Sequence, residues 1–102
     1  MSIDNALLTL AAYVLTSSYR ERAVIILHEN EILTPKVLAE KCNIRPNHIS
    51  KTLRELKEHE IVVCINESAK KGRLYLLTPL GEEVYNMLPH LKEKTGGELN
   101  DL

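Results

Sequence analysis

A stripe of polar residues in the middle of the chain carries hydrogen-bond donors at helical spacing. Asn47, Lys51 and Arg54 are separated by four and then three residues, which places them on one side of a helix, and Glu58 continues the stripe. Amide, ammonium and guanidinium donors suit phosphate oxygens and the acceptor edges of bases. The side of this helix that must face a core is apolar and consists of Ile49, Leu53 and Leu56. The pattern predicts a helix that offers a polar ridge to an outside partner.

Two helices joined by a tight turn position this ridge. The first opens at Thr34, whose hydroxyl can cap it, with Pro35 at its first position. It ends where Asn43 can take a left-handed conformation. The second helix covers residues 46–59. The sequence therefore predicts a helix-turn-helix with the polar ridge on its second helix.

A basic hairpin is predicted to follow. Residues 61–66 and 74–77 are apolar and rich in strand-forming side chains, which favours two paired strands. Gly72 supplies the turn between them. The tip, which we call the wing, carries three cations: Lys70, Lys71 and Arg73.

Two helices and a short strand are predicted before this motif. Residues 3–15 are apolar almost all round, which is typical of a helix buried on more than one side. Ser17 can cap a central core helix that runs to about Glu29. Residues 31–33 favour a brief strand that joins the hairpin.

A final helix is predicted to begin after a capping Thr78. Pro89 should kink or end it, because the proline ring removes a backbone donor. The fold class is mainly α with a small β-hairpin wing, a winged helix-turn-helix with extra N- and C-terminal helices. We divide the chain into an N-terminal helix (1–16), a winged-helix domain with its C-terminal helix (17–94) and a flexible tail (95–102).

Charge is distributed unevenly along the chain. The 102 residues carry a formal net charge of −1, and a chain of this length builds one modest core. Residues 34–78 hold nine Lys or Arg against five Glu, whereas the remainder holds four basic and nine acidic residues. A basic middle between acidic ends favours one phosphate-binding face, and ordinary solvated surface charge is the alternative.

From about residue 13 to residue 85 the chain resembles the winged-helix transcriptional regulators of the MarR and ArsR type, especially the small DNA-binding proteins common in archaea. Four motifs carry the likeness: VLAEKCNI from Val37, HISKTLREL from His48, EIV from Glu60 and GRLYLLTPLG from Gly72. The resemblance implies that the second helix enters a major groove while the wing touches an adjacent minor groove or backbone. Two positions depart from the usual pattern: Asn43 stands where the family often has Gly in the turn, and Arg45 replaces the Ser or Thr cap.

Ten residues are candidates for contact with DNA. They are Lys36, Arg45, Asn47, His48, Ser50, Lys51, Arg54, Lys70, Lys71 and Arg73. The alternative for the helix and the wing is a solvated surface, and His48 is equally well explained as a spectator. We expect a cytoplasmic, sequence-specific regulator of transcription that binds double-stranded DNA as a homodimer and acts as a repressor.

Dimerisation is predicted from the terminal helices, whose apolar surface exceeds what a small winged domain buries alone. The candidate residues are Leu7, Leu8, Leu10, Ala11, Val14, Val84, Leu88 and Leu91. Packing into the core is the alternative for all of them.

Several other functions find little support in the sequence. His28, His59 and His90 are scattered, so no metal site and no cofactor is expected, and no motif indicates an enzyme. Cys42 and Cys64 are predicted to be small buried hydrophobes, with redox sensing as the alternative. The apolar run at residues 6–15 is too short to span a bilayer, and residues 1–4 lack a basic leader.

Two other readings of the fold stay open at this point. A winged helix can serve as a protein-interaction module in a transcription or processing complex, which would suit the near-neutral charge and the apolar ends. A regulator with an effector pocket between the terminal helices and the core is the third possibility, although no convergent polar groups indicate it.

Overall fold

Eight secondary-structure elements follow one another in the order that the sequence predicts. A computed structural model describes residues 5–100, with side chains described through residue 92. The elements are α1 (Asn5–Leu15), α2 (Ser18–Asn30), β1 (Ile32–Leu33), α3 (Pro35–Cys42), α4 (Pro46–Glu58), β2 (Val62–Cys64), β3 (Tyr75–Leu77) and α5 (Pro79–Asn100). The predicted start of the first helix, at residue 3, lies outside the described residues.

Short local signals set the ends of the helices that lead to the ridge. The Ser17 hydroxyl accepts the Arg20 backbone N–H at 3.2 Å and so caps α2. The Thr34 hydroxyl accepts the Val37 N–H at 3.3 Å and caps α3. Asn43 ends α3 in the left-handed conformation, at φ 57° and ψ 48°. All three predicted features are confirmed.

The three short strands form one antiparallel sheet in the order β1-β3-β2. In its central row, Leu76 of β3 stands between Ile32 of β1 and Val63 of β2. The strands of the hairpin are shorter than predicted, because the chain turns after the Ile65 N–H bonds to the Leu74 carbonyl at 3.0 Å.

The core lies among α2, α3 and α4 and is closed by α1, which packs against α5. Four of the predicted dimerisation residues belong to this core and are at most 3% exposed: Ala11, Val14, Val84 and Leu88. The dimer prediction is therefore corrected at these positions. Because their side chains are already covered within the chain, they have no surface to offer a second copy.

The last helix passes through Pro89 and continues to Asn100, so the prediction that it could end there is wrong. A proline inside a helix removes one backbone bond and its ring crowds the preceding turn, which together cost about 3 kcal/mol. Leu88 is buried and Leu91 is half-buried on either side of the proline, and this packing holds the helix across it. The tail predicted as flexible (95–102) is helical in α5 through residue 100, and residues 101–102 lie outside the described ones, so its flexibility stays a prediction. Between residues 5 and 100, no helix has the length and apolarity needed to cross a membrane.

Both cysteines are buried and free, which confirms that they pack as small hydrophobes. Burial raises the pKa of the Cys42 thiol, and the nearby Arg22 guanidinium partly offsets this shift. The thiol is thus held in its neutral, weakly nucleophilic form.

Gly81 lies in the first turn of α5, directly against the chain that enters β2. The Thr78 hydroxyl accepts the Gly81 N–H at 2.9 Å and donates to the Glu60 carbonyl at 2.6 Å, which fixes the start of α5. A Cβ added to Gly81 would stand 2.1 Å from the Ile61 carbonyl oxygen. By contrast, a Cβ at Gly72, where φ is 68°, meets nothing within 4 Å.

We therefore expect Gly81→Ala to lower the free energy of unfolding by about 3 kcal/mol or more, because backbone must move to admit the methyl group. Gly72→Ala meets no neighbouring atom and only places an alanine in a left-handed backbone conformation, so it should lower this free energy by about 1–2 kcal/mol. Urea denaturation followed by circular dichroism measures both. Equal, small losses would contradict the close contact at Gly81.

Candidate nucleic-acid interface

The ridge on α4 is exposed as predicted. Asn47, Lys51, Arg54 and Glu58 all face away from the core. The opposite side is buried and consists of Ile49, Thr52, Leu53 and Leu56. Arg45 precedes the helix without a side-chain cap bond, so its guanidinium is not engaged in capping. The apolar side fixes the helix on the core and leaves the polar ridge outside.

On one side of the ridge, α4 and the wing enclose a concave site of about 360 Å³. Ser50, Arg54 and Lys57 of α4 line it together with Arg73 and Tyr75 of the hairpin. Lys57 also forms an ion pair with Glu67 at the base of the wing. Residues 50, 54 and 57 have the spacing of one helix side, so the sequence could have indicated Lys57, which lies beside the outermost stripe.

Two neighbouring concave sites extend this cationic surface across the start of α3. In one of about 430 Å³, Lys36 stands with Lys70, Lys71 and Arg73 of the wing. In the other, of about 470 Å³, Lys36 stands with Arg45 before α4. Lys36 therefore connects the wing with the turn of the helix-turn-helix. The structure brings nine of the ten predicted residues together on the ridge and around these three sites.

The tenth residue, His48, lies on the other side of α4, against α2. Its ring centroid is 5.4 Å from that of Tyr19. Further along this side, the Arg20 guanidinium pairs with Glu55 at 3.1 Å. His59, at the end of the helix, stacks on Tyr13 of α1 with 4.2 Å between ring centroids. The ridge is thus bounded by the wing on one side and by α1 and α2 on the other.

Two of the acidic side chains beside the surface are engaged in ion pairs. Glu55 pairs with Arg20, and Glu67 pairs with Lys57. Glu40 and Glu58 are exposed. The surface keeps a positive balance toward an anionic partner because its lysines and arginines outnumber these carboxylates.

The wing is shaped by the side chain of Asn66. Its Oδ1 accepts the Leu74 N–H at 2.7 Å, and its Nδ2 donates to the Gly72 carbonyl at 3.2 Å. Arg73 adds a bond from its Nε to the Ala69 carbonyl at 2.8 Å. These bonds replace the ladder bonds that end with the strands, and they hold the cations of the wing next to α4.

Potential metal ligands do not gather in the part of the chain that the structure describes. There, no group of three or more His, Cys, Asp or Glu side chains could hold a metal ion.

A helix-turn-helix followed by a hairpin that extends its cationic surface is a winged helix-turn-helix, and comparison with known proteins supports this fold. No protein-family model matches the sequence, and no curated protein matches it. Solved structures do match. The antimony-specific transcriptional repressor AntR has a TM-score of 0.67 at 18% identity, over 85% of this chain and 78% of its own.

Two further structures show the same architecture. A MarR-family transcriptional regulator from Silicibacter pomeroyi has a TM-score of 0.67 at 23% identity, over 86% of this chain and 60% of its own. Lactococcus lactis ZitR, in complex with DNA, has a TM-score of 0.63 at 27% identity, over 83% of this chain and 58% of its own. This chain therefore spans less than two thirds of the latter two proteins. The likeness shows the winged-helix fold.

We expect Asn66→Ala to release the wing with little effect on the fold, because the side chain lies outside the core. Hydrogen exchange of the Leu74 amide should accelerate at least tenfold, since one lost hydrogen bond of about 1.4 kcal/mol corresponds to that factor. Asn66→Asp retains the Oδ1 acceptor and should preserve the protection of Leu74. Ser68→Ala, in the same turn, is the control. Unchanged exchange in Asn66→Ala would show that another contact shapes the wing.

Proposed function

We propose that this chain is a transcriptional regulator that binds double-stranded DNA, with α4 in a major groove and the wing on the adjacent DNA. One observation carries the proposal: α3, α4 and the hairpin place cations from three separate segments around adjoining concave sites. A cationic surface beside an exposed helix suits the phosphates on both sides of the groove and the base edges within it.

The residues of the surface divide into two roles. Arg54 and Asn47 stand on the outward ridge, where their donors suit guanine and adenine edges respectively. Lys51, although also on the ridge, carries a point charge that suits a phosphate better than a base. The cations of the wing, with Lys36 and Arg45, would contact backbone phosphates and set the register of the helix.

Two of the structurally similar proteins support a role in DNA binding and transcription. ZitR was solved in complex with DNA, and AntR is described as a transcriptional repressor. By analogy we propose repression, in the cytoplasm, for this chain as well. This step rests on fold-level likeness, and the cationic surface supplies the physical argument for DNA binding.

Fluorescence anisotropy with a labelled duplex tests the proposal. If two subunits together neutralise about eight phosphates, affinity should fall about 10³-fold or more between 50 and 200 mM salt. A variant in which Lys51, Arg54, Lys71 and Arg73 are all changed to Ala should lose most of this binding. Lys92→Ala, which removes a cation from α5, is the control. Absence of duplex binding by the wild type at low salt would refute the proposal.

We also propose that the chain forms a homodimer through α1 and α5. These helices pack against each other, and they carry four half-buried leucines: Leu7, Leu8, Leu10 and Leu91. Two copies that share this surface would present two α4 helices to successive major grooves.

Sedimentation equilibrium should therefore give a mass of about twice 11.6 kDa. Leu8→Glu places a charge on the shared surface and should shift the mass toward that of a single chain, because burying an unpaired carboxylate is unfavourable. Circular dichroism checks that the variant stays folded. A wild-type mass of one chain at 100 μM or so would overturn the dimer, since functional interfaces of this kind bind well below that concentration.

The protein-interaction module is favoured by a separate observation. Ile32, Val63 and Ile65 are the large apolar side chains most exposed among the described residues, and Ile65 reaches 58%. Ile32 and Val63 flank Leu76 in one row across the sheet. An apolar sheet face suits a protein partner rather than DNA. This function becomes the conclusion if the duplex experiment fails.

A further inference from the structure

A second group of side chains that carry hydrogen-bond donors lies on the α2 side of α4. The Arg22 guanidinium carbon is 5.4 Å from the centroid of the Tyr19 ring, and the His48 ring is 5.4 Å from the same ring. We call these three residues the flank cluster. Arg22 and Tyr19 come from α2, whereas His48 belongs to the first turn of α4, so the cluster joins the core helix to the start of the ridge.

The flank cluster is accessible and has donors to spare. Arg22 and His48 are exposed, and Tyr19 is half-buried. Arg22 uses Nη1 for the Cys42 carbonyl at 3.0 Å and Nη2 for the Ser18 hydroxyl at 3.5 Å. A guanidinium carries five N–H donors, so this anchoring leaves others for a ligand. The two bonds also hold the charge in a fixed place.

The neighbouring Arg20 makes a useful contrast. Its side chain is 12% exposed, and its nitrogens are committed to Glu55, the Tyr13 carbonyl and Thr16. It therefore fixes the helices and has little capacity for an outside partner. Of the two arginines on α2, Arg22 is the one placed for binding.

Two neighbouring carboxylates, one on α2 and one on α4, are already paired with cations other than Arg22. Glu21, the residue before it, pairs with Lys92 of α5 at 2.5 Å. Glu55, on the same side of α4 as His48, pairs with Arg20 at 3.1 Å. The charge of Arg22 is thus directed toward an external anion.

The position of the flank cluster around α4 identifies that anion. With about 100° per residue, His48 lies about 100° to one side of Asn47, whereas Ser50 and Lys57 lie about 60–80° to the other. The wing contacts α4 on the second side. A helix that lies in a major groove about 12 Å wide has a phosphate strand on each side. The wing can reach one strand, and the flank cluster faces the other.

We propose that Arg22, with His48 and Tyr19, binds a backbone phosphate on the DNA strand opposite to the one contacted by the wing. This inference rests on the proposed function and adds Arg22 and Tyr19, which no motif in the sequence indicates, to the predicted candidate His48. The guanidinium supplies the charge, and the imidazole and phenol add N–H and O–H donors. Two phosphate contacts on opposite sides of α4 would fix its depth and its angle in the groove.

The test measures how the affinity for duplex DNA depends on salt concentration in two variants of Arg22 that keep different properties of the side chain. Arg22→Lys keeps the charge but loses the forked geometry, whereas Arg22→Gln keeps an N–H donor for the Cys42 carbonyl but loses the charge. Phosphate binding predicts a wild-type salt slope for Arg22→Lys. For Arg22→Gln it predicts that the slope of log affinity against log salt concentration becomes less steep by about one per subunit. Binding at 0.1 M salt should weaken roughly 5- to 10-fold per lost contact.

Two controls separate the possible failures. The double variant Glu21→Gln/Lys92→Ala removes the distant cation without leaving a carboxylate beside Arg22, so it should leave the slope unchanged, and thermal melting confirms that each variant is folded. If the wild type binds duplex and Arg22→Gln keeps its slope and affinity, the flank contact is refuted while the proposed function stands. Equal weakening by both substitutions without a change of slope would assign Arg22 a structural role and also refute the contact. If the wild type binds no duplex, both proposals fall together.

Discussion

The guanidinium of Arg20 joins three helices at one point, and the orientation of the recognition helix depends on it. Arg20 donates to the Tyr13 carbonyl of α1 at 3.0 and 2.8 Å and pairs with Glu55 of α4 at 3.1 Å. It also lies over the Tyr13 ring, with 3.9 Å between the guanidinium carbon and the ring centroid. The pair is partly buried, with side chains 12% and 27% exposed, and turning α4 about its axis would break it together with the packing around it.

With its apolar side held by the core and the Glu55 part of its α2 side held by Arg20, α4 leaves two whole sides for function besides the start of the α2 side at His48. One faces the wing, where Lys57 pairs with Glu67 across the boundary, and the other is the ridge of Asn47, Lys51 and Arg54. The same arrangement explains why the two arginines of α2 differ: Arg20 points into the joint between helices, and Arg22 remains at its outer edge. The committed arginine and the exposed one are thus separated by two positions on one helix.

Features set by neighbouring residues were predictable from the sequence, and those set by distant contacts were not. The cap at Thr34, the left-handed Asn43 and the ridge follow from short spacings that the structure reproduces. The burial of dimer candidates such as Val14 depends on how α1 packs against α5, which no local pattern encodes. Of the flank cluster, His48 was among the predicted residues, but Arg22 and Tyr19 were missed for a similar reason: they belong to α2, and helical periodicity relates residues only within one helix.

A titration of ¹⁵N-labelled protein with a short duplex, followed by amide chemical shifts, tests the central claim that α3, α4 and the wing form one DNA-binding surface. The account predicts saturable shifts at Lys36, along the ridge of α4 and in the wing, with α5 beyond its first turn unaffected. Shifts confined to the outer face of the sheet, around Val63 and Ile65, or to α5, with the ridge unchanged, would contradict it.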